Sequence, residues 1–144
     1  MTVSVKIDQP SEAGEYDVSM QLLLQLLWGD GFLSPGGADE VARVLEGSEI
    51  RGCAVLDIGA GLGAIDQLLV EQHGAGSVVG IDIDPSLLRQ MDARIARAGL
   101  AGRVTSRCVE PGPLPFATGC FDVVFSKAAT FEAARYWTSE PDSV

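Results

Sequence analysis

Positive charge is scarce in this chain of 144 residues: 10 lysines and arginines stand against 20 acids, for a net charge of -10 and a pI near 4.3. Phosphate backbones and anionic membrane faces need a basic stripe to bind, so this balance argues against nucleic acid and membrane as partners. Histidine occurs once, which excludes a His-rich metal centre. The three cysteines, Cys53, Cys108 and Cys120, cannot all pair with one another and show no C-x-x-C spacing. That usage fits a reducing compartment and argues against a closed zinc site, and no metal is expected. Nothing near Met1 reads as a basic stretch followed by an apolar one, and the apolar run Leu22 to Trp28 is too short to cross a bilayer; a cytoplasmic location is expected.

Aromatic residues make up only 6% of the chain, yet 47% of it is hydrophobic, which is the composition of one folded domain and not of a disordered segment. A chain of this size buries roughly 68% of its extended surface on folding, so its core needs no disulfide or metal framework. No internal repeat or low-complexity tract is visible.

Residues 1–20 read as an N-terminal arm, polar and without sustained period up to Tyr16. Residues 21–49 read as a helical lead-in with a covering loop. Gln21 to Leu27 holds five leucines in seven residues, which predicts a short helix over a pocket or at a partner surface; the alternative is a helix packed on the domain core. Gly29, Gly31, Pro35, Gly36 and Gly37 break the chain before a helix from about Ala38 to Leu45.

From residue 50 onward the pattern becomes regular. Cys53 to Ile58 is a buried strand, Gly59 to Gly63 a glycine-rich turn, and Ala64 to Gln72 a helix presenting Ile65, Leu68 and Leu69. Ser77 to Ile81 is a second strand ending at Asp82. Asp84 caps the next helix with Pro85 in its first turn, Leu88, Met91 and Ile95 mark its apolar face, and Gly99 stops it. Val104 to Val109 and Phe121 to Phe125 supply two more strands, separated by a proline-rich loop. Alternation of strand and helix indicates an α/β fold: a mostly parallel sheet with covering helices.

Chemistry concentrates in Val55-Leu56-Asp57-Ile58-Gly59-Ala60-Gly61-Leu62-Gly63-Ala64 and in Asp82, 18 residues beyond Ala64 at the next strand end. The glycines permit a sharp strand-to-helix turn and close approach of a ligand, and a carboxylate at Asp82 suits ribose hydroxyls. Gly59, Gly61 and Ala64 alone also satisfy the dinucleotide fingerprint. Asp57 separates the two possibilities, because two residues ahead of the first glycine it repels a pyrophosphate but attracts the sulfonium and ammonium of S-adenosylmethionine. The competing role for Asp57 is to brace the turn through backbone amides. Ile83, between Asp82 and Asp84, is positioned to pack on an adenine ring or stands there by chance. His73, beside Gly74 at the end of the first covering helix, reads as a helix-terminal residue and not as a base.

Val55 to Ala64, Val79 to Pro85, and Leu114-Pro115-Phe116 with Phe121-Asp122 together resemble class I S-adenosylmethionine-dependent methyltransferases. The loop Trp28-Gly29-Asp30-Gly31-Phe32-Leu33-Ser34-Pro35-Gly36-Gly37 is similar to that of the phosphoethanolamine N-methyltransferase group. The resemblance runs from Leu24 to Glu132 and implies a partial Rossmann-like methyltransferase fold with strand order 3-2-1-4, the first four strands of a seven-stranded family sheet. Residues 50–144 then form a truncated S-adenosylmethionine-binding domain. Strand four is an open edge, to be covered by a second copy or a complementing chain.

By position, the resemblance assigns the methionine part of the cofactor to Asp57, Gly59, Gly61 and Gly63, ribose to Asp82 and adenine to Glu110, where the family more often has aspartate. Ser34 closes over the amino-acid end. The chain departs from the phosphoethanolamine enzymes where Leu24 replaces a tyrosine, Ala128 an aspartate and Glu132 a histidine. Those departures speak against a phosphoethanolamine acceptor. They leave Glu132 as the candidate catalytic base or binder of a cationic acceptor, against a solvated helix residue. The expected function is S-adenosylmethionine-dependent methyl transfer to a small-molecule acceptor; the alternatives are a cofactor-binding or structural domain without turnover, or a dinucleotide-binding protein.

Overall fold

Asp57 is the one polar residue of strand β1, Ala54–Ile58, because both faces of that strand are covered: Val55 to Ile58 are all buried. In the computed structural model, which describes residues 17–126, β1 lies inside a four-stranded sheet with β2 (Ser77–Asp82), β3 (Val104–Cys108) and β4 (Val123–Phe125). The order is β3-β2-β1-β4 and every pairing is parallel, as the alternating pattern requires. Val55 sits opposite Val78 on one side and Val123 on the other, and Val78 opposite Val104. A row of β-branched side chains therefore crosses the sheet.

Among the described residues four helices accompany it: α1 (Val18–Trp28), α2 (Gly37–Val44), α3 (Ala64–Glu71) and α4 (Pro85–Arg97). The larger core joins Val41, Leu69, Val70, Leu88, Met91 and Ile95 from the helices to Val55, Val78, Val104 and Phe125 from the sheet. The opposite face carries Leu56, Ile58, Ile81 and Val109, covered by Leu114, Phe116 and Phe121 of the proline-rich loop. Phe116 and Phe121 meet edge to face with ring centroids 5.1 Å apart. Asp122 sets the register of β4: its Oδ2 accepts from the Ala54 amide at 2.8 Å, while its own amide donates to the Ala54 carbonyl at 2.8 Å.

The local signals for α4 act as anticipated. Asp84 is its N-cap, accepting from the Ser86 amide at 2.8 Å, and Pro85 occupies the first turn, where no amide hydrogen is needed. α3 departs in its buried face. Ala64, Asp66, Leu69 and Val70 are buried, whereas Ile65 and Leu68 are only half-buried. A core-packed α1 is not what forms: Leu22, Leu26 and Leu27 are 63%, 83% and 61% exposed, and the residue facing inward is Gln21. Its Oε1 accepts from Gln90 Nε2 at 3.0 Å, so a side-chain amide pair and not a leucine face seats this helix on α4.

Met91 is fully enclosed between α4 and the turn that precedes α3. Replacing it with alanine is expected to cost roughly 2–5 kcal/mol of folding stability, measured by urea denaturation with an unchanged m-value. A cost near zero would show that α4 does not seal this side of the sheet.

Candidate functional site

The carboxyl ends of β1, β2 and β3 converge on the glycine turn at residues 59–63. β1 pairs with β2 on one side and β4 on the other, so the turn stands where the order of an open parallel sheet reverses, the place at which such sheets bind ligands. Amides of Gly59 and Ala60 both donate to the Ile81 carbonyl, at 2.9 and 3.0 Å, which ties the turn to the end of β2. Gly63, at φ +84, cannot be replaced without strain, because a Cβ there would stand 2.5 Å from Met91 Cγ.

Asp82 completes the brace. Its Oδ2 accepts from the Gly61 amide and its Oδ1 from the Asp84 amide, both at 3.0 Å. A carboxylate has about four lone-pair sites, so two accepted bonds leave capacity for hydroxyl donors. Burial raises the pKa of Asp82 above the usual carboxylate value, and the neighbouring backbone N–H groups pull against that shift. Ile83 is 53% exposed next to it. The Val109 amide donates to the Asp82 carbonyl at 3.0 Å and so brings exposed Glu110 to the same rim.

The covering loop reaches this turn from the other direction. A Cβ on Gly61 would lie 3.5 Å from Leu33 Cδ1, and one on Gly31 would collide with the Arg94 guanidinium and Ala64 Cβ. Arg94 pairs with Asp30 at 3.1 Å, and Gln25 Oε1 accepts from the Gly31 amide at 2.8 Å. Ser34 is buried in this loop. Thus Ser34's loop, Gly59, Gly61, Gly63, Asp82, Ile83 and Glu110 stand around one end of the sheet, while Glu132 lies outside the described residues, as does the stretch 127–131 before it.

Asp57 occupies a different level, beneath the turn. It is 1% exposed, and its Oδ2 meets no N–H or hydroxyl donor. Its partner is Asp66, fully buried on α3, whose carboxyl otherwise faces its own backbone amide. Burial pushes Asp57 up to about 7, opposed by its bond to Asp66 and reinforced by the Asp82 charge. Asp66 is raised well above the carboxylate range, first by burial and then by the Asp57 charge and the Asp57 carboxyl beside it. Asp66 escapes sequence reasoning because an acid in a helix's first turn reads as a solvated residue favoured by the helix dipole. The available signal was Gly80, a glycine inside an apolar strand: a Cβ there would stand 2.6 Å from Asp66 Oδ1.

A family model described as a methyltransferase domain matches residues 55–140, more than half of the chain. The chain belongs to the methyltransferase domain family. Its fold is the class I S-adenosylmethionine-dependent methyltransferase fold, broadly related to the phosphoethanolamine N-methyltransferase group. Erythromycin 3''-O-methyltransferase of Saccharopolyspora erythraea is 36% identical over 103 residues, covering 72% of this chain and 31% of that protein. Phosphoethanolamine N-methyltransferase 1 of Zea mays is 29% identical over 114 residues, covering 78% and 22%. The structure of Haemonchus contortus phosphoethanolamine N-methyltransferase 2 in complex with S-adenosyl-L-methionine matches with a TM-score of 0.65 at 26% identity, over 76% of this chain and 29% of that one. This methyltransferase domain therefore spans between about a fifth and a third of the length of the curated relatives it matches.

Asp57 and Asp66 both bind protons more tightly in the folded chain than in the unfolded one. Their favourable contribution is complete below the unfolded value near 4 and is lost as pH rises through about 7 and beyond. Asp66→Asn keeps a donor toward Asp57 and removes one buried acid. Its loss of stability between about pH 5 and about pH 8 should be smaller than that of the unaltered domain, read from urea midpoints. Equal losses would show that Asp66 is not held as a buried neutral acid.

Proposed function

We propose that this methyltransferase domain binds S-adenosyl-L-methionine over the glycine turn and serves methyl transfer to a small-molecule acceptor. The observation that carries the reading is Asp82, which holds the turn through Gly61 yet keeps lone pairs available beside exposed Ile83. Membership of the methyltransferase domain family supports it, as does likeness to a solved enzyme complexed with the same cofactor. Fit with the cofactor rests on charge as well as shape. The enclosed Oδ2 of Asp57, which meets no N–H or hydroxyl donor, lies beneath the turn, where a carboxylate favours a cation over a pyrophosphate.

On this reading Gly59, Gly61 and Gly63 let the methionine portion approach the backbone, Asp82 accepts from the ribose hydroxyls, and Ile83 packs on the adenine edge with Glu110 beyond it. Ser34 belongs to the loop over the amino-acid end. When bound, the cofactor supplies an electrophilic sulfonium methyl. The protein's own contribution is alignment of the acceptor for in-line attack, exclusion of water and, where the acceptor carries a proton, its removal by Glu132. Relatives are named for N- and for O-methylation of different acceptors, so the acceptor assigned here stays at the level of a small molecule with an amine, hydroxyl or carbon nucleophile.

Calorimetric titration tests this. Asp82→Ala should weaken S-adenosyl-L-methionine binding by about 10- to 150-fold, equivalent to about 1.5–3 kcal/mol for lost charge-assisted bonds. Unchanged affinity in a folded variant would remove the ribose assignment, and tighter binding of a nicotinamide dinucleotide would overturn the cofactor class. Glu132→Gln should lower methyl transfer to a panel of amine, hydroxyl and carbon acceptors while leaving cofactor affinity unaltered. Undiminished turnover would exclude Glu132 as the base.

A further inference from the structure

Two acids are enclosed next to each other in the interior of the fold. Asp57 stands at the fourth position of β1 and Asp66 at the third of α3, 1% and 0% exposed. Gly80 of β2 leaves space for the Asp66 carboxyl, with Met91 Cε and Ala60 Cβ bounding the same volume at 2.7 and 2.8 Å from where a Gly80 Cβ would lie. No amide reaches Asp57 Oδ2, so the turn-bracing role goes to Asp82, and Asp57 is left with Asp66 as its partner. An enclosure whose two carboxyls meet no donor beyond the Asp66 backbone amide cannot hold both as anions. A single proton between them satisfies both.

We propose that Asp66 is a positioning residue: its carboxyl O–H donates to Asp57, holding Asp57 as the anion beneath the glycine turn and linking cofactor binding to release of a proton from the pair. The inference rests on the cofactor reading above. A cation seated over the turn favours the ionised form of Asp57, and by linkage ionised Asp57 favours the cation. Below about pH 7, where Asp57 is partly protonated, binding expels a proton; well above it, binding does not.

The surrounding charges are few among the described residues. Asp82 from β2 adds repulsion that raises both acids, and Asp84 acts on Asp82. From α4 the group facing the pair is Met91, and the Arg94 guanidinium is committed to Asp30. Asp66 is thus the donor within reach of Asp57, and a side chain that cannot donate leaves Asp57 to take up the proton itself.

The test is calorimetric titration of the chain with S-adenosyl-L-methionine in buffers of differing ionisation enthalpy, at about pH 6, 7 and 9, which counts protons exchanged on binding. The unaltered chain should release a substantial fraction of one proton at about pH 6 and almost none at about pH 9. Asp66→Asn retains a donor and should bind within about threefold at neutral pH, whereas Asp66→Ala should lose about tenfold at pH 7 and recover most of it at pH 9. Pure packing loss would not recover with pH. A defect in Asp66→Ala that is equal at every pH, or absent, overturns the positioning role while leaving the cofactor reading intact. Failure of the unaltered chain to bind S-adenosyl-L-methionine overturns the cofactor reading and the linkage with it. Should Asp66→Ala not fold, carbon NMR titration of the aspartate carboxyls in Asp66→Asn decides. Replacement of two coupled steps by one at Asp57 supports the shared proton, and an unchanged Asp57 titration overturns it.

Discussion

The bond from the Gly61 amide to Asp82 Oδ2 is where the sheet and the glycine turn become one object. A five-residue turn rich in glycine has high conformational entropy, and without a tether it would sample many shapes. Here the strand-end acid of β2 grips it from one side, the Ile81 carbonyl accepts two of its amides, and Met91 closes against Gly63 from below. The ligand-facing backbone is therefore held in place before any ligand arrives, which is what makes such a turn useful for recognition. The same carboxylate remains able to accept further bonds, so bracing and binding do not compete for one lone pair.

Electrostatics divide the site into two levels. At the rim, Asp82 is partly wetted and its charge is satisfied by amides. Beneath the turn, Asp57 and Asp66 are enclosed, and burial outweighs every stabilising contact they make. Evolution toward a more stable chain would replace such a pair with apolar residues, since paired buried charges rarely stabilise relative to good packing. Under the proposed cofactor site, such a pair presents negative charge to a cation. The net charge of -10 acts in the same direction, favouring a positively charged ligand over a phosphate-rich one.

The covering loop shows how a segment with little regular structure can still be positioned. Arg94 with Asp30 and Gln21 with Gln90 attach α1 and its loop to α4 through polar bonds, and Gln25 with Gly31 ties the loop back to α1. Leu22, Leu23, Leu26 and Leu27 of α1 are exposed and contribute little to this attachment, while Leu24 is half-buried. Polar seating is weaker and more directional than an apolar interface, so the loop's placement depends on a few donors and acceptors and not on area.

The repeating strand-turn-helix grammar of residues 53–97 was legible from composition and spacing alone, since period-two and period-3.6 burial are direct consequences of backbone geometry. So were the capping acid Asp84 and the rim acids at strand ends, whose positions follow from where a parallel strand must stop. Three matters were decided only by packing in three dimensions: the outward leucines of α1, the burial of Asp66 in place of Ile65, and the clamp of Asp122 on Ala54. Each joins residues far apart in the chain or depends on which face a neighbour leaves open. Periodicity reports which side chains share a face, but the element on which that face settles is chosen by the shape of everything else.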